Sequence, residues 1–346
     1  MRNVLVTGGC GFIGSNFVRY LSESKEFHIV ILDKLTYAGN TMNLAKINKS
    51  NYDFVEGDIC NESLVNDLFE KYNFLGVFHF AAESHVDRSI DGPKDFIQTN
   101  IIGTYNLLQA SRLIFKKSNK DFKFIHISTD EVYGDLDEGS FFTENTPYAP
   151  SSPYSASKAS SDHLVKAWGR TFGLPVVITN CSNNYGAYQF PEKLIPLMII
   201  NCLAWKSLPV YGDGKNIRDW LHVSDHCSAI EAVFKYGLNN HTYNIGGNNE
   251  IKNIDIVTSI CDFLDNYKPS KNGSYRQLIE YVEDRPGHDY RYAIDSTKIK
   301  NDLNWEPKES FNSGIEKTIK WYIDNKQWWQ DIKEKKYNQK RLGVKI

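Results

Sequence analysis

The stretch VLVTGGCGFIG, residues 4–14, decides the fold class of this chain. An apolar strand pattern over Asn3–Thr7 runs directly into a glycine-rich turn, and the pattern of an amphipathic helix over Phe12–Ser24 follows. Without side chains in the turn, a pyrophosphate can approach the backbone, and the N-terminus of the helix stabilises its negative charge. The stretch therefore predicts the first strand, turn and helix of a dinucleotide-binding unit.

Four glycines of this turn fit two spacing patterns. Gly8, Gly11 and Gly14 give GxxGxxG, whereas Gly9 with the last two gives GxGxxG. Asp33 ends the next predicted strand, where its carboxylate would bind the adenosine ribose hydroxyls and repel a 2′-phosphate. NAD is therefore expected rather than NADP. The alternative, that the glycines serve only a tight turn, stays open at this point.

Short apolar strand patterns alternate with helix patterns through the first half of the chain. The predicted strands are Asn3–Thr7, His28–Asp33, Tyr52–Glu56, Gly76–Phe80, Phe122–Ile127 and Val176–Asn180. The predicted helices are Phe12–Ser24, Glu62–Tyr72, Pro93–Phe115 and Pro153–Phe172, with two more near 310–324 and 325–335. Strands that are apolar throughout are typical of a parallel sheet covered on both faces. We expect an α/β fold with a Rossmann-type, doubly wound parallel sheet.

The alternation weakens after about residue 181, where short loop-rich segments such as LPVYGDG and TYNIGG follow one another. We therefore expect an NAD-binding Rossmann domain over 1–180. Residues 181–346 would form a smaller, mixed α/β region that binds the substrate, with some segments returning to the first domain.

Composition excludes several classes of protein. The 346 residues are 41% hydrophobic and carry a formal net charge of −2, which gives no indication of nucleic-acid binding. No apolar run approaches the about 20 residues that span a bilayer, and no signal-peptide pattern is present. Six cysteines, at positions 10, 60, 181, 202, 227 and 261, lack metal-ligand spacing. We expect reduced thiols, no metal site, no membrane contact and a cytoplasmic location.

The stretch FIHISTDEVYGDL, residues 124–136, places Asp130 and Glu131 side by side at the end of an apolar strand. Two neighbouring carboxylates repel each other and lose hydration there. Such a pair is useful where one group must be protonated and the other ionised, as in acid–base catalysis. The residues alone do not say which is the acid. A structural alternative is that they cap a helix or pair with Arg88 or Arg218.

The segment SSPYSASKAS contains a second candidate pair. Ser152 is the expected N-cap of a helix with Pro153 in its first turn, so Tyr154 and Lys158 share one helix face. An ammonium about 4 Å away stabilises a phenolate by roughly 4 kcal/mol at an effective dielectric near 20. We therefore expect Lys158 to lower the pKa of Tyr154 and make it a base.

With its glycine loop, the threonine at the end of a strand and the YxxxK motif, the chain resembles the extended short-chain dehydrogenase/reductase superfamily. More narrowly, the chain resembles the dTDP-glucose 4,6-dehydratase family over about residues 2–325. The segments that carry this likeness are AAESHVDRSI, STDEVYG, CSNNYG, FPEKLIPL, RDWLHVSDH, YNIGGNNE and DRPGHDYRYAID.

The resemblance implies a redox-neutral dehydration of dTDP-glucose, with tightly bound NAD that is recycled in each turnover. Tyr154, with Lys158 and Thr129, would act at the carbon 4 hydroxyl. Asp130 would be the acid at carbon 6 and Glu131 the base at carbon 5. An epimerase of the same superfamily has no use for a strand-end Asp-Glu pair, and a decarboxylase would need an additional arginine. A catalytically silent NAD-binding protein would lack these side chains.

The resemblance also implies two sets of binding residues. The expected cofactor ligands are Gly8, Gly11, Phe12, Ile13, Gly14, Asp33, Lys34, Leu35, Thr36, Asp58, Ile59, Ala81, Ala82, Ser84, Thr99, Tyr154, Lys158 and Asn184. The expected substrate ligands are Ser84, His85, Thr129, Asn183, Lys193, Leu194, Pro209, Tyr211, Arg218, Asn253, Arg285 and His288. Among these, Arg218 and Arg285 would bind the diphosphate.

The predicted helices at 93–115 and 153–172 have more apolar residues than a single stripe requires. The superfamily pairs these two helices across a twofold axis in a four-helix bundle, so the resemblance implies a homodimer. The alternative is that both faces are buried within one chain.

Overall fold

The computed structural model describes residues 2–117, 121–137, 139–284 and 287–335. The strands are β1 (Arg2–Thr7), β2 (Phe27–Asp33), β3 (Tyr52–Glu56), β4 (Gly76–His79), β5 (Lys123–Thr129), β6 (Val176–Cys181), β7 (Asn183–Tyr185), β8 (Leu208–Tyr211), β9 (Ile217–His222), β10 (Thr242–Ile245), β11 (Glu250–Lys252) and β12 (Ile279–Val282). The helices are α1 (Phe12–Ser24), α2 (Glu62–Tyr72), α3 (Val86–Asp91), α4 (Pro93–Phe96), α5 (Thr104–Lys117), α6 (Pro153–Phe172), α7 (Leu194–Leu203), α8 (Val223–Tyr236), α9 (Asn253–Tyr267), α10 (Thr297–Leu303), α11 (Phe311–Asp324) and α12 (Lys326–Lys335).

The centre of the molecule is a seven-stranded sheet in the order β10-β6-β5-β4-β1-β2-β3. Neighbouring strands pair in parallel throughout this sheet. The strand order reverses between β1 and β4, which creates the crevice where doubly wound sheets bind ligands. The predicted doubly wound parallel sheet is therefore confirmed.

Both faces of the sheet are covered, as the uninterrupted apolar strands predict. Val4 and Val6 of β1 point into a core shared with α1 and α8, whereas Leu5 between them points into a core shared with α2, α5 and α6. This alternation follows from the two-residue period of a strand. The sheet is thereby held as a rigid platform for the loops at its edge.

The segment predicted as one helix over Pro93–Phe115 is divided in the structure. Seven residues, Ile97–Gly103, form a π-helical stretch between α4 and α5. Within it, the amide of Asn100 bonds both the N–H and the C=O of Glu83, at 2.9 and 3.0 Å, and donates to Ser157 Oγ at 2.8 Å. The apolar pattern does not reveal this local widening, because the bonds that accompany it come from distant segments.

The second half of the chain adds a separate apolar core and two small sheets. The sheets are β11-β9-β7 and the parallel pair β12-β8, and the core is built chiefly from α7, α9, α11 and α12. The segment TYNI, expected in a loop-rich region, instead forms β10 at the edge of the seven-stranded sheet. Three of its four residues, Thr242, Tyr243 and Ile245, favour strands, and β6 offers a free edge for pairing, which accounts for this difference.

All six cysteines are free thiols, and five of them are buried. Over the residues that the structure describes, helices are either too short or too polar to cross a bilayer.

Candidate active site

One large cleft lies at the carboxyl ends of the parallel strands, where the strand order reverses. Its wall contains the loops that follow β1 to β6, together with parts of the π-helical stretch and of α6. The fold therefore brings together segments that are far apart in sequence, from Gly8 to Lys193.

The glycine turn has the shape that a dinucleotide requires. Gly8 has a φ of +70°, and a Cβ there would lie 2.7 Å from the backbone nitrogen of Ala81. A Cβ on Gly14 would lie 2.2 Å from the carbonyl oxygen of Gly8, so this position must also lack a side chain. Gly11 caps α1 without any side-chain hydrogen bond. The N-terminus of α1 is thus left available to an anion, which fits a pyrophosphate.

The acidic residue after β2 is positioned by backbone groups. Asp33 Oδ2 accepts the N–H of Cys10, and its Oδ1 accepts the N–H of Leu35, each at 2.8 Å. Lys34 forms an ion pair with Asp58, with 2.7 Å between Nζ and Oδ2. The charge of Lys34 is therefore balanced by Asp58, which leaves Asp33 to discriminate against a 2′-phosphate.

Nearly all of the expected cofactor ligands line the cleft: Gly8, Gly11, Phe12, Ile13, Gly14, Asp33, Lys34, Thr36, Asp58, Ile59, Ala81, Ala82, Ser84, Thr99, Tyr154, Lys158 and Asn184. Leu35 does not contribute to this lining; its side chain packs against the core under α1. Asn184 is held on both sides, because its Nδ2 donates to Ser182 O at 3.0 Å and its Oδ1 lies 2.9 Å from His226 Nδ1.

The strand-end residues after β5 form a tight, buried turn. Asp130–Tyr133 is a single 3₁₀ turn, and Thr129 Oγ1 accepts the N–H of Glu131 at 3.2 Å. The hydroxyl of Thr129 is also placed to donate to Asp130 Oδ1 at 3.3 Å. This turn brings Thr129, Asp130 and Glu131 into the wall of the cleft beside Tyr154 and Lys158.

The carboxyl groups of Asp130 and Glu131 differ in how deeply they are buried. The side chain of Asp130 is 2% exposed, and its Oδ2 has no hydrogen-bond partner among the described residues. Burial raises the pKa of Asp130 well above its usual value of 3.8; the charges of Glu131 and Asp219 act in the same direction, and Arg218 opposes them. The site therefore favours the uncharged, protonated form of Asp130.

Helix α6 presents the tyrosine and the lysine to the same cleft. Ser152 caps the helix as predicted, accepting the N–H of Ser155 at 3.1 Å. Burial lowers the pKa of Lys158 to about 8, while burial and the charge of Glu131 raise the pKa of Tyr154 well above 10.0. The direction for Tyr154 is opposite to the one expected from Lys158 alone, because removing the phenol from water outweighs the attraction in the protein without ligands.

The expected substrate ligands fall into two groups. Ser84, Thr129, Asn183 and Lys193 line the cleft, and Lys193 Nζ donates to the carbonyl of Ser84 at 3.2 Å. Outside this lining lie His85, Leu194, Pro209, Tyr211, Arg218, Asn253 and His288. Arg285 lies outside the described residues.

Two residues of the second group, Tyr211 and Arg218, contact residues 287–292. His288 Nδ1 lies 2.6 Å from Asp284 Oδ1, and its ring meets that of Tyr211 edge-on. Arg218 donates to the carbonyls of Asp289 and Tyr290 at 2.8 and 3.2 Å. Neither Arg218 nor His288 is part of the lining of the cleft.

Several residues of the cleft wall are not expected from the sequence, among them Glu83, Gln189 and Glu192. Glu192 accepts both Nε and Nη2 of Arg88, at 3.1 and 3.0 Å, and the guanidinium stacks over Tyr37 at 3.7 Å. Glu83 was adjacent to predicted residues and could have been found from that position. The Glu192–Arg88 contact joins residues far apart in sequence, so no local pattern signals it.

Comparison with known proteins gives one consistent result. Residues 5–318 match the model of a family described as GDP-mannose 4,6 dehydratase. The chain is 55% identical to a dTDP-glucose 4,6-dehydratase of Escherichia coli, with 99% of each chain covered.

Two solved structures are similar over nearly their whole length. A dTDP-glucose 4,6-dehydratase of Bacillus anthracis in complex with NAD is 48% identical, with a TM-score of 0.86 over 96% of this chain and 100% of that one. A dTDP-glucose 4,6-dehydratase of Streptomyces venezuelae with NAD bound is 43% identical, with a TM-score of 0.88 over 95% of this chain and 99% of that one.

Proposed function

The chain belongs to the dTDP-glucose 4,6-dehydratase family, and on that premise we propose that it converts dTDP-glucose to dTDP-4-keto-6-deoxyglucose with NAD as cofactor. It is a lyase of deoxysugar nucleotide biosynthesis. The observation that supports this assignment most directly is the carboxyl pair in the cleft, in which Asp130 is buried, with its pKa raised by that burial, and Glu131 is partly exposed.

The residues that would hold NAD are those of the glycine turn and of the loops after β2 and β3. The N-terminus of α1 would bind the pyrophosphate, Asp33 the adenosine ribose, and Asp58 the adenine side of the cleft. When bound, NAD would supply reversible hydride transfer, with carbon 4 of the hexose as the donor and carbon 6 as the final acceptor.

At carbon 4, Tyr154 would take the hydroxyl proton as the carbon is oxidised. The side chain of Thr129 acts to lower the pKa of Tyr154, against the larger effect of burial, and would also contact the carbon 4 oxygen. Lys158, one helical turn away, would stabilise the phenolate by its positive charge. The resulting ketone acidifies the hydrogen on carbon 5.

At carbons 5 and 6, the two carboxyl groups would divide the elimination between them. Glu131 would remove the proton from carbon 5, and Asp130 would donate its proton to the departing hydroxyl on carbon 6. The different burial of the two groups supports this order, which the resemblance implies and the residues alone leave open. Returning a proton to carbon 5 would complete the turnover.

Binding of the nucleotide part would use residues at the open end of the cleft. Asn183 has a buried side-chain oxygen without a partner among the described residues, which suits a ligand that donates a hydrogen bond. Lys193 would add a positive charge toward the diphosphate. Arg218 would need to exchange carbonyl contacts for phosphate oxygens, because the residue is only 5% exposed and its guanidinium donates to backbone carbonyls.

The function is tested with purified protein and dTDP-glucose in the absence of added reductant. We expect a 4-keto-6-deoxy product, identified by mass spectrometry, and lower turnover with UDP-glucose. A product epimerised at carbon 4 would instead indicate an epimerase. If no nucleoside diphosphate glucose is converted, the proposal is wrong.

We also propose a homodimer formed through the helices at 93–117 and 153–172. Four large apolar side chains are exposed along the first of these segments: Ile97, Ile102, Tyr105 and Leu113. On α6, exposed Ala156 and Ala167 would allow close approach of a partner helix. A row of exposed apolar side chains of this kind is typical of an interaction surface.

Two further points remain proposals. A cytoplasmic location is supported by the free thiols. The division into an NAD-binding domain over 1–180 and a substrate-binding region over 181–346 is supported by the separate core around α7, α9 and α11. Helix α8 and strand β10 would be the segments that return to the first domain.

A further inference from the structure

We propose that Asp162 is a positioning residue for the reaction: its buried carboxylate is the counter-charge that keeps the ammonium of Lys158 in place and charged. The inference rests on the proposed function, because it concerns how Lys158 is made ready for its task. Asp162 follows Lys158 by one turn of α6, so the two side chains lie on the same helix face.

The carboxylate of Asp162 is completely buried. Its Oδ2 accepts the hydroxyls of Ser128 and Tyr148, each at 2.9 Å. Its Oδ1 lies 3.1 Å from Nε2 of His126 but accepts no aligned hydrogen bond among the described residues. The two hydroxyl donors therefore satisfy Oδ2. Oδ1 accepts no such bond, so the negative charge of the carboxylate needs a cation nearby.

His126 does not supply that cation. Its ring is completely buried in β5, and burial together with the charge of Lys158 lowers its pKa to about 4. The imidazole is therefore neutral at pH 7, with Nε2 3.2 Å from the hydroxyl of Ser161. It separates the carboxylate from the ammonium without neutralising either.

Lys158 is the buried cation beside this carboxylate. Its Nζ donates to the carbonyl of Ile127 at 2.8 Å and lies 3.4 Å from His126 Nε2. Burial lowers the pKa of Lys158 to about 8, and the charge of Asp162 acts in the opposite direction. Cys181, on β6, is also nearby, but burial raises the pKa of its thiol above 9.0, so it is uncharged at neutral pH. His79, on β4, is also buried and neutral. Removing the charge of Asp162 would therefore move Lys158 toward its uncharged form at neutral pH.

A second cation, Lys166, lies on the other side of Asp162. Its Nζ is 3.5 Å from the hydroxyl of Tyr148, and its side chain is only half-buried. Because Lys166 retains contact with water, it has less need of a buried counter-charge than Lys158. This difference makes Lys166 a matched control.

The first test is the pH dependence of turnover in Asp162→Asn, which removes the charge and keeps the shape. Tyr154 and Lys158 are expected to titrate as a pair, in which Lys158 must keep its proton. The fall of kcat at alkaline pH, the alkaline limb of the pH profile, then reports loss of that proton. We expect that limb to move to lower pH by about one unit or more. Tyr148→Phe, which removes one hydrogen bond but leaves the carboxylate charged, should leave the limb in place. An unmoved limb in folded Asp162→Asn would overturn the inference.

The second test is a double-mutant cycle measured by thermal unfolding, which needs no activity. Asp162→Asn leaves Lys158 as a buried cation without its counter-charge, so adding Lys158→Met should restore much of the lost stability. The same cycle with Lys166→Met should show a smaller coupling. Additive effects, or a double variant that folds no better than Asp162→Asn alone, would contradict the proposal.

The two proposals fail in different ways. Absence of product from the unmodified enzyme would refute the proposed function, whereas the unfolding cycle would still report whether Asp162 and Lys158 are coupled. Normal turnover combined with an unmoved alkaline limb and additive unfolding would refute only the role of Asp162.

Discussion

Asp130 and Glu131 are neighbours in the chain, yet only Asp130 is buried: its side chain is 2% exposed, whereas Glu131 remains partly accessible. The 3₁₀ turn that begins at Asp130 produces this difference by directing successive side chains to different environments. A dehydration needs an acid and a base within reach of adjacent carbons. A single turn of backbone supplies both the acid and the base, although aspartate and glutamate have nearly the same intrinsic pKa.

Replacing Glu131 with glutamine should separate oxidation from elimination. The variant keeps Tyr154, Lys158 and the cofactor site, but it lacks the base for carbon 5. We expect turnover to fall about 10²–10⁴-fold, while reduced cofactor accumulates on the enzyme after substrate is added. Near-ultraviolet absorbance of bound NADH in a stopped-flow instrument measures this. Full turnover, or no reduced cofactor at all, would contradict the assigned role.

Asp130→Asn should make the ligand-free protein more stable while reducing its activity. Because the pKa of Asp130 is raised above 3.8 in the folded protein, the folded state binds more protons than the unfolded state between these two pKa values. Stability from this group therefore falls as pH rises through that interval. An uncharged amide avoids the loss, so we expect the free energy of unfolding at pH 7 to increase by about 1–2 kcal/mol.

Urea unfolding at pH 5 and pH 8 measures this effect. The difference in stability between Asp130→Asn and the unmodified protein should be larger at pH 8. Glu131→Gln is the control at the neighbouring and more accessible position, where we expect a smaller change. Equal stability of the Asp130→Asn and unmodified proteins at both pH values would show that Asp130 is not held protonated by burial.

Two glycines of the first turn should respond differently to alanine. A Cβ on Gly14 would overlap the carbonyl of Gly8 at 2.2 Å, so Gly14→Ala should destabilise the protein by about 2 kcal/mol or more. The corresponding distance at Gly11 is 3.3 Å, which the backbone can accommodate. Gly11→Ala should therefore fold and instead weaken NAD binding. Calorimetric titration with NAD and thermal unfolding of both variants distinguish the two effects.

Asp33→Asn should reduce the preference for NAD over NADP. The amide oxygen can still accept a backbone N–H, but the repulsion of a 2′-phosphate is lost. We expect the ratio of the two dissociation constants to fall about tenfold or more. Because Lys34 is paired with Asp58, Lys34→Ala should change that ratio less. If Lys34→Ala changed the ratio more than Asp33→Asn did, the charge of Lys34 would act directly on the ribose site.

Ile102→Glu should break the proposed dimer. Ile102 is exposed on the segment between α4 and α5, and a charge there would be desolvated in a helix–helix interface. Light scattering after size-exclusion chromatography should give twice the chain mass for the unmodified protein and the chain mass for the variant. Leu238→Glu, at an exposed apolar position that is not part of these helices, should stay dimeric. A monomeric unmodified protein at micromolar concentration would refute the dimer.

The sequence by itself determined six of the seven strands of the sheet, the glycine turn and the position of the chemical groups at strand ends. The bounds of α1, α2 and α6 agree with the predicted ones, because each helix has local signals: an apolar period, a cap at Ser152, and left-handed residues at Lys25, Asn73 and Gly173 that end it. Residues that follow parallel strands must meet at one edge of the sheet, so most cofactor ligands could be placed without coordinates.

The tertiary structure alone decided which carboxyl group is buried and what surrounds Lys158. Asp130 and Glu131 look equivalent in the sequence, because the burial that distinguishes them comes from distant segments, among them α6, that pack against the turn. In the same way, His126, Asp162 and Lys158 come together only when β5 is packed against α6. The free energy of a charge depends on its distance from water and from other charges, and both distances are fixed by packing between segments that no local pattern connects.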